Sequence, residues 1–420
     1  MTSYDPYDPA VKEDPQKYFK PLRDGCPVHH HVIDDVEVGK MNENPWIAEP
    51  TTEFWSLSRY QDCVQVLQTP ALYSSKEGPG PERTRALTED GMLLFSDDPA
   101  HRWQRSIANK AFTPRRVALL EPDIQKVADD LIDQLYPRGE CDLHLEFAAA
   151  MTIRVVAKVV GVDDSRIDDF FRWGNDTIGA FGADEEGIKR SFTSGMEFLA
   201  YFNELLEDRR TKLANDEEVP DDILTAMITA ADEETGKKLS DVELFMGAQQ
   251  FMVAGFETTT TTIGSGIWLL NQHPEQLQKV KDNPDLILVL VEEVLRYASP
   301  LEGLCRTATE DTEIAGVKIP KGGKVRWLMA SANRDERAFE RADEFDLDRD
   351  RVQVRKHLSF GHGIHMCLGS ALARMELKIA FETLLRRLPN LRPDPDKQPE
   401  RNKALLVSGF SYLPVVWDVT

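Results

Sequence analysis

Phe360-Gly361-His362-Gly363-Ile364-His365-Met366-Cys367-Leu368-Gly369 sets a single thiol in a glycine-punctuated loop that leads straight into an amphipathic stretch over residues 371–388. A thiol at a helix start meets unpaired backbone N–H groups and the positive end of the helix dipole, so a lowered pKa and a thiolate are expected at Cys367. A single thiolate suits a haem iron. Glycines at 361, 363 and 369 remove side chains that would hold a flat macrocycle off the backbone, and they permit the left-handed dihedrals of a tight turn.

Other readings of the same residues stay open. His362, His365 and Cys367 are close enough for a zinc site, although zinc usually takes four ligands from spaced pairs and no second pair follows. An iron–sulfur cluster needs about four cysteines in series, whereas Cys26, Cys63, Cys141, Cys305 and Cys367 are scattered. A buried structural cysteine near a helix start is the plainest alternative.

The pattern F-G-x-G-x-H-x-C-x-G resembles the haem-binding loop of cytochrome P450, the haem-thiolate monooxygenases, and the resemblance covers the chain from about Pro21 to the end. It implies a mainly α fold with a smaller β portion, one domain over 1–420 with residues 1–20 as an N-terminal extension. It also implies haem b with Cys367 as the axial iron ligand, and Phe360, Gly361 and Gly369 as the loop around it.

Composition fits. In 420 residues, 41% hydrophobic and 29% charged, there is enough apolar material for a large core and no disorder signature. A net charge of −22 argues against nucleic acid and anionic lipid surfaces as partners. The N-terminus lacks the pattern of a signal peptide, and no apolar run reaches membrane length. A cytoplasmic monomer with five free thiols is expected.

Short alternating stretches before about residue 94, such as Phe54-Trp55-Ser56-Leu57, read as a small sheet. Helical periodicity then predicts helices over 102–111, 118–135, 145–160, 167–181, 188–213, 223–231 and 244–270. After Pro300 the texture turns to short strands: a hairpin over 312–319 with Ala315-Gly316 at its turn, and a closing hairpin over 405–417. His29-His30-His31 reads as an exposed loop.

The segment 244–270 carries Ala254-Gly255-Phe256-Glu257-Thr258-Thr259 inside an apolar helix, where a carboxylate, a Gly and a Thr run are locally unfavourable. A satisfied buried Glu with hydroxyls bonded back to i−4 carbonyls would explain it structurally. The resemblance implies the family's oxygen-binding helix, locally widened, with Gly255 giving room for O2, Ala254 against the haem, and Glu257 and Thr258 relaying protons. The family's propionate clamp maps to His101, Arg105, Arg306 and His365. Its Glu-Arg-Arg cluster maps to Glu293, Arg296 and Arg349, in a structural role.

The substrate pocket is expected around Met92, Leu93 and Leu94, Phe181 or its neighbours, Val253, Ala254, Glu302, Leu304 and Phe410. Residues 302, 304 and 306 share a strand face, and the Glu302 carboxylate is expected to turn away unless it meets a polar group of the substrate. The implied activity is hydroxylation of a hydrophobic small molecule with O2. The two electrons come ultimately from NAD(P)H through a ferredoxin reductase and a ferredoxin, docked by Arg115, Arg116, Arg355 and Lys356. A terpenoid-like or alicyclic compound leads over aromatic and steroid skeletons on family grounds alone. The alternative is a non-catalytic haem or gas-binding protein on the same scaffold, against which the Glu257–Thr258 pair speaks.

Overall fold

Ser240 and Glu243 cap one another reciprocally and start the helix Asp241–Gln272, which ends at His273 before the helix-starting Pro274. This helix forms the spine. Packed on it are the helix Ala150–Val160, the π-helical turn Leu143–Ala149 that precedes it, and the helix Ser370–Arg387 that follows the cysteine loop. These surfaces merge in one apolar core that includes Phe147, Met252, Ile263, Phe381 and Leu384. The computed structural model describes residues 4–43, 47–84, 91–179, 185–402 and 406–419.

Strands Val28–Val32, Glu53–Leu57, Lys324–Trp327, Leu304–Ala308 and Tyr73–Ser74 lie side by side in that order. Leu304 pairs with Trp327 and Arg306 with Val325, so Leu304 and Arg306 leave the sheet on one face and Cys305 on the other. The three histidines are therefore strand rather than loop, with His30 stacked on Trp55 at 4.8 Å. The hairpin Thr312–Ile314 with Val317–Ile319 turns through left-handed Ala315 and Gly316, as the sequence predicts.

Several boundaries differ from expectation. The helix over 118–135 is two, Pro114–Leu119 and Glu121–Leu135, because Pro122 lacks an N–H and starts a new helix. The closing hairpin is not a hairpin. Phe410–Tyr412 pairs with Glu400–Arg401, while Pro414–Val416 joins Glu140–Asp142 and Arg392–Pro393 in another sheet. Within the N-terminal extension, Tyr4, Val11 and Phe19 bury themselves with Leu22 against Leu328 and Ala330. Among the described residues, no helix is long and apolar enough to cross a membrane.

Candidate active site

Cys367 lies deep in the protein mass, yet its surface is accessible because the residue opens on to a cavity of about 740 Å³. Its N–H donates to the Phe360 carbonyl at 2.8 Å, which closes the loop. Gly361 and Gly363 are left-handed, and a Cβ at Gly363 would stand 2.3 Å from the Leu67 carbonyl oxygen. Gly369 is not left-handed; it caps the following helix, and a Cβ there would have no protein atom within 4 Å. Phe360 lies beneath the Arg374 guanidinium at 4.4 Å.

The expected low pKa at Cys367 does not follow from the protein alone. Burial pushes the thiol up, and the Gly369 amide, Arg105 and Arg374 pull only part of the way back. The zinc reading loses its geometry as well. His365 Nε2 meets Ser75 Oγ at 3.0 Å and His362 meets Gln68 at 3.0 Å, and among the described residues no group of three potential ligands converges on a metal.

One wall of the cavity is cationic. His101 and His365 rings lie 4.1 Å apart, and Arg105 and Arg306 line the same space. Arg105 Nη2 donates to the Met366 carbonyl at 2.7 Å, which ties the wall to the cysteine loop. Arg306 is buried, with its Nη1 on its neighbour's carbonyl, Cys305, at 2.9 Å. Burial pulls it down to about 10, and burial with Arg105 alongside pulls His101 down to about 4. His101 Nε2 is buried with no partner in the protein. An anion seated there would satisfy these donors and restore the charges.

On the spine helix, Ala254, Gly255, Glu257 and Thr258 line the cavity together with Val253. Thr258 Oγ1 donates to the Ala254 carbonyl at 2.9 Å and Thr262 Oγ1 to the Thr258 carbonyl at 2.7 Å, so the expected local widening gives way to an uninterrupted α-helix. Gly255 also allows close packing: a Cβ there would stand 2.7 Å from Val156 Cγ2 on the neighbouring helix. Glu257 is 6% exposed, and burial pushes its carboxyl up to about 7 against a hydrogen bond from Asn402 Nδ2 at 3.2 Å.

Leu93, Leu94 and Leu304 line the cavity as expected. Glu302 does not. It is 5% exposed and pairs with the buried Arg326 at 3.2 Å, away from the cavity. Phe410 is likewise withdrawn, packed on Trp268 at 5.2 Å, and Met92 is wholly buried in the core. Leu406 and Val407 take the place assigned to Phe410, held by the Glu302 N–H to Leu406 carbonyl bond at 3.0 Å. Phe181 lies outside the described residues.

Glu293 is fully buried and joins three partners. Arg296 donates twice to it at 2.7 and 2.8 Å, Arg349 Nε at 2.9 Å and the Asp346 N–H at 2.9 Å. Arg296 also donates to the carbonyls of Asn333, Ala342 and Glu344, so the cluster pins the segment leading to the cysteine loop. Beside it stands a second hub that sequence reasoning missed: Glu292 receives His357, Arg374 and Arg355. Burial would raise its pKa, but His357 and Arg374 hold it down at about 2. Arg355 and Arg116, the latter paired with Asp221 at 2.7 Å, are thereby partly engaged; Arg115 and Lys356 stay exposed.

The accessible sulfur, the wall of Arg105, Arg306, His365 and the unpartnered His101 Nε2, and the open rim at Gly369 fit a flat, iron-bearing dianion such as haem. A cavity walled by a cysteine sulfur and faced by an acid and an alcohol, inside a helical body with a small sheet, is the arrangement of the haem-thiolate monooxygenases. Residues 184–414 match the family model described as Cytochrome P450. A protein named cytochrome P450 107B1 from Saccharopolyspora erythraea is 37% identical over 375 residues, 86% of this chain and 88% of that one. A steroid C26-monooxygenase from Mycobacterium tuberculosis is 35% identical over 86% of this chain and 94% of its own length. The solved structure of cytochrome P450 CYP109Q5 from Chondromyces apiculatus superposes with a TM-score of 0.84 at 32% identity, covering 99% of this chain and 98% of that one. The chain belongs to the cytochrome P450 family.

Proposed function

We propose that the protein hydroxylates a bulky hydrophobic, alicyclic small molecule, a substrate class that takes in the steroids named for one relative. The observation that carries this is one cavity bounded by Cys367 and the cationic wall on one side, by Glu257 and Thr258 on another, and by apolar side chains such as Leu94, Val253, Leu304 and Val407 elsewhere. Bound haem supplies the reduction of dioxygen and the transfer of one oxygen atom to a C–H bond. The balance is one dioxygen, two electrons and two protons, with one oxygen leaving in the alcohol and the other as water.

Cys367 is the group to hold the iron, and Arg105, Arg306, His101 and His365 are the groups to hold the propionates. Thr258 spends its proton on the Ala254 carbonyl, so its oxygen faces the cavity as an acceptor that can fix a water. Glu257, with a pKa raised to about 7, can give and regain a proton at neutral pH. Electrons enter in this reading from a ferredoxin served by its reductase, with the exposed Arg115 and Lys356 offering charge to an acidic partner.

Screening hydrophobic ligands for a low-spin to high-spin optical shift tests the substrate class. Alicyclic compounds should give the shift, and a shift confined to small planar aromatics would overturn the class. With a ligand in hand, Thr258→Ala should consume NAD(P)H with much less product and more hydrogen peroxide. Unchanged product per NAD(P)H would remove Thr258 from proton delivery.

A further inference from the structure

We propose that Asn402 is a positioning residue for Glu257: its side-chain amide, carried to the spine helix by the strand pair Glu400–Arg401 and Phe410–Tyr412, holds the Glu257 carboxyl in place for proton transfer. The inference rests on the relay reading of Glu257 given above.

Glu257, Thr261 and Ser265 are successive i+4 neighbours and share one face of the helix. The hairpin lies directly on that face. Gly409 has φ +90, and a Cβ there would stand 2.6 Å from Thr261 Cγ2 and 3.4 Å from Ser265 Oγ, so only glycine permits the approach. The Asn402 N–H donates to the Gly409 carbonyl at 3.0 Å, which fixes Asn402 relative to that contact. Its amide then reaches the carboxyl one turn along the helix and donates to Glu257 Oε1 at 3.2 Å.

An amide donor favours the carboxylate over the acid. Burial acts in the opposite sense and is the larger effect. The two together leave the acid near neutrality, where a relay group is most effective. Among the described residues, charged groups on the packed elements have other partners. Arg401 lies over the Phe410 ring, Arg154 donates to the Ala150 carbonyl, Lys158 pairs with Asp123 and Glu146 pairs with Arg138. Burial lowers the pKa of His144 and raises that of Glu376, and among the described residues the Asn402 amide donates to the Glu257 carboxyl from the side of the strand pair.

The test follows the protonated carboxyl band of Glu257 by infrared difference spectroscopy across neutral pH, in the haem-loaded protein, with the band assigned as the one lost in Glu257→Gln. In Asn402→Ala the midpoint should rise by about one pH unit. Asn402→Gln, which keeps an amide, should return it toward wild type, and Gly409→Ala should raise it by lifting the hairpin. The pH profile of NAD(P)H-driven dioxygen consumption should move with the band. A Glu257 midpoint that stays put in Asn402→Ala overturns the proposal. A midpoint that moves while Glu257→Gln leaves dioxygen consumption at the wild-type level overturns the relay reading instead and leaves the grip of Asn402 on the acid standing.

Discussion

Glu293→Ala is expected to unfold about 3–5 kcal/mol more readily than the wild type in urea, because it strands two guanidinium groups at the centre of the fold. Arg296 is wholly buried and Arg349 nearly so. Each keeps its bonds to backbone carbonyls but loses the carboxylate that neutralises it. Because those carbonyls belong to the segment before the cysteine loop, the variant should also lose haem on gel filtration. A shift within about 1 kcal/mol would mean that the pair contributes no more than a surface bridge. The neighbouring Glu292 adds a pH signature. Its folded pKa of about 2 lies below the ordinary 4.5, so its stabilising contribution is complete above about pH 4.5 and is lost as the pH falls toward 2. Glu292→Gln should flatten acid unfolding in that window.

Glu257→Gln should separate stability from turnover. The folded pKa of about 7 lies above the ordinary 4.5, so ionising this group costs the fold nothing below about pH 4.5, and the cost grows until it is complete above pH 7. Removing the acid should therefore stabilise the protein in urea at pH 8, by up to about 3 kcal/mol, and leave its stability at pH 4 unchanged. Product formation should fall by about 100-fold, the scale of a lost general acid. A variant neither more stable at pH 8 nor slower would place Glu257 outside the relay and outside the strained part of the core. The conflict of a carboxylate in an apolar helix, visible in the sequence, is what singles this position out for the proposed role.

Much of the site was legible because its residues announce themselves locally. The cysteine loop is contiguous, the acid and alcohol sit on one helical turn, and Glu293 and Arg296 are spaced for one helix face. Strand alternation placed Leu304 and Arg306 on the cavity side. Glu302 turns away as expected, because alternation holds only inside the strand, which begins at Leu304, and Arg326 on the next strand draws the carboxylate aside. Phe410 was misplaced because the C-terminal strands split between two sheets, which no local pattern records. Asn402 and Glu292 were missed because their partners are distant in sequence, although a Glu beside Glu293 in a buried helix was a usable signal. The helix-start argument for Cys367 left out burial, which in the protein alone pushes the thiol up.

The sulfur of Cys367 is proposed to ligate the haem iron, and all the other roles depend on that bond. The most direct measurement is the optical spectrum of the reduced protein under carbon monoxide, for the wild type and for Cys367→Ala. The wild type should show the red-shifted Soret band of a thiolate-ligated haem, and the variant should lose that band or its pigment altogether. A Cys367→Ala protein with haem retained and the same red-shifted band would contradict the account.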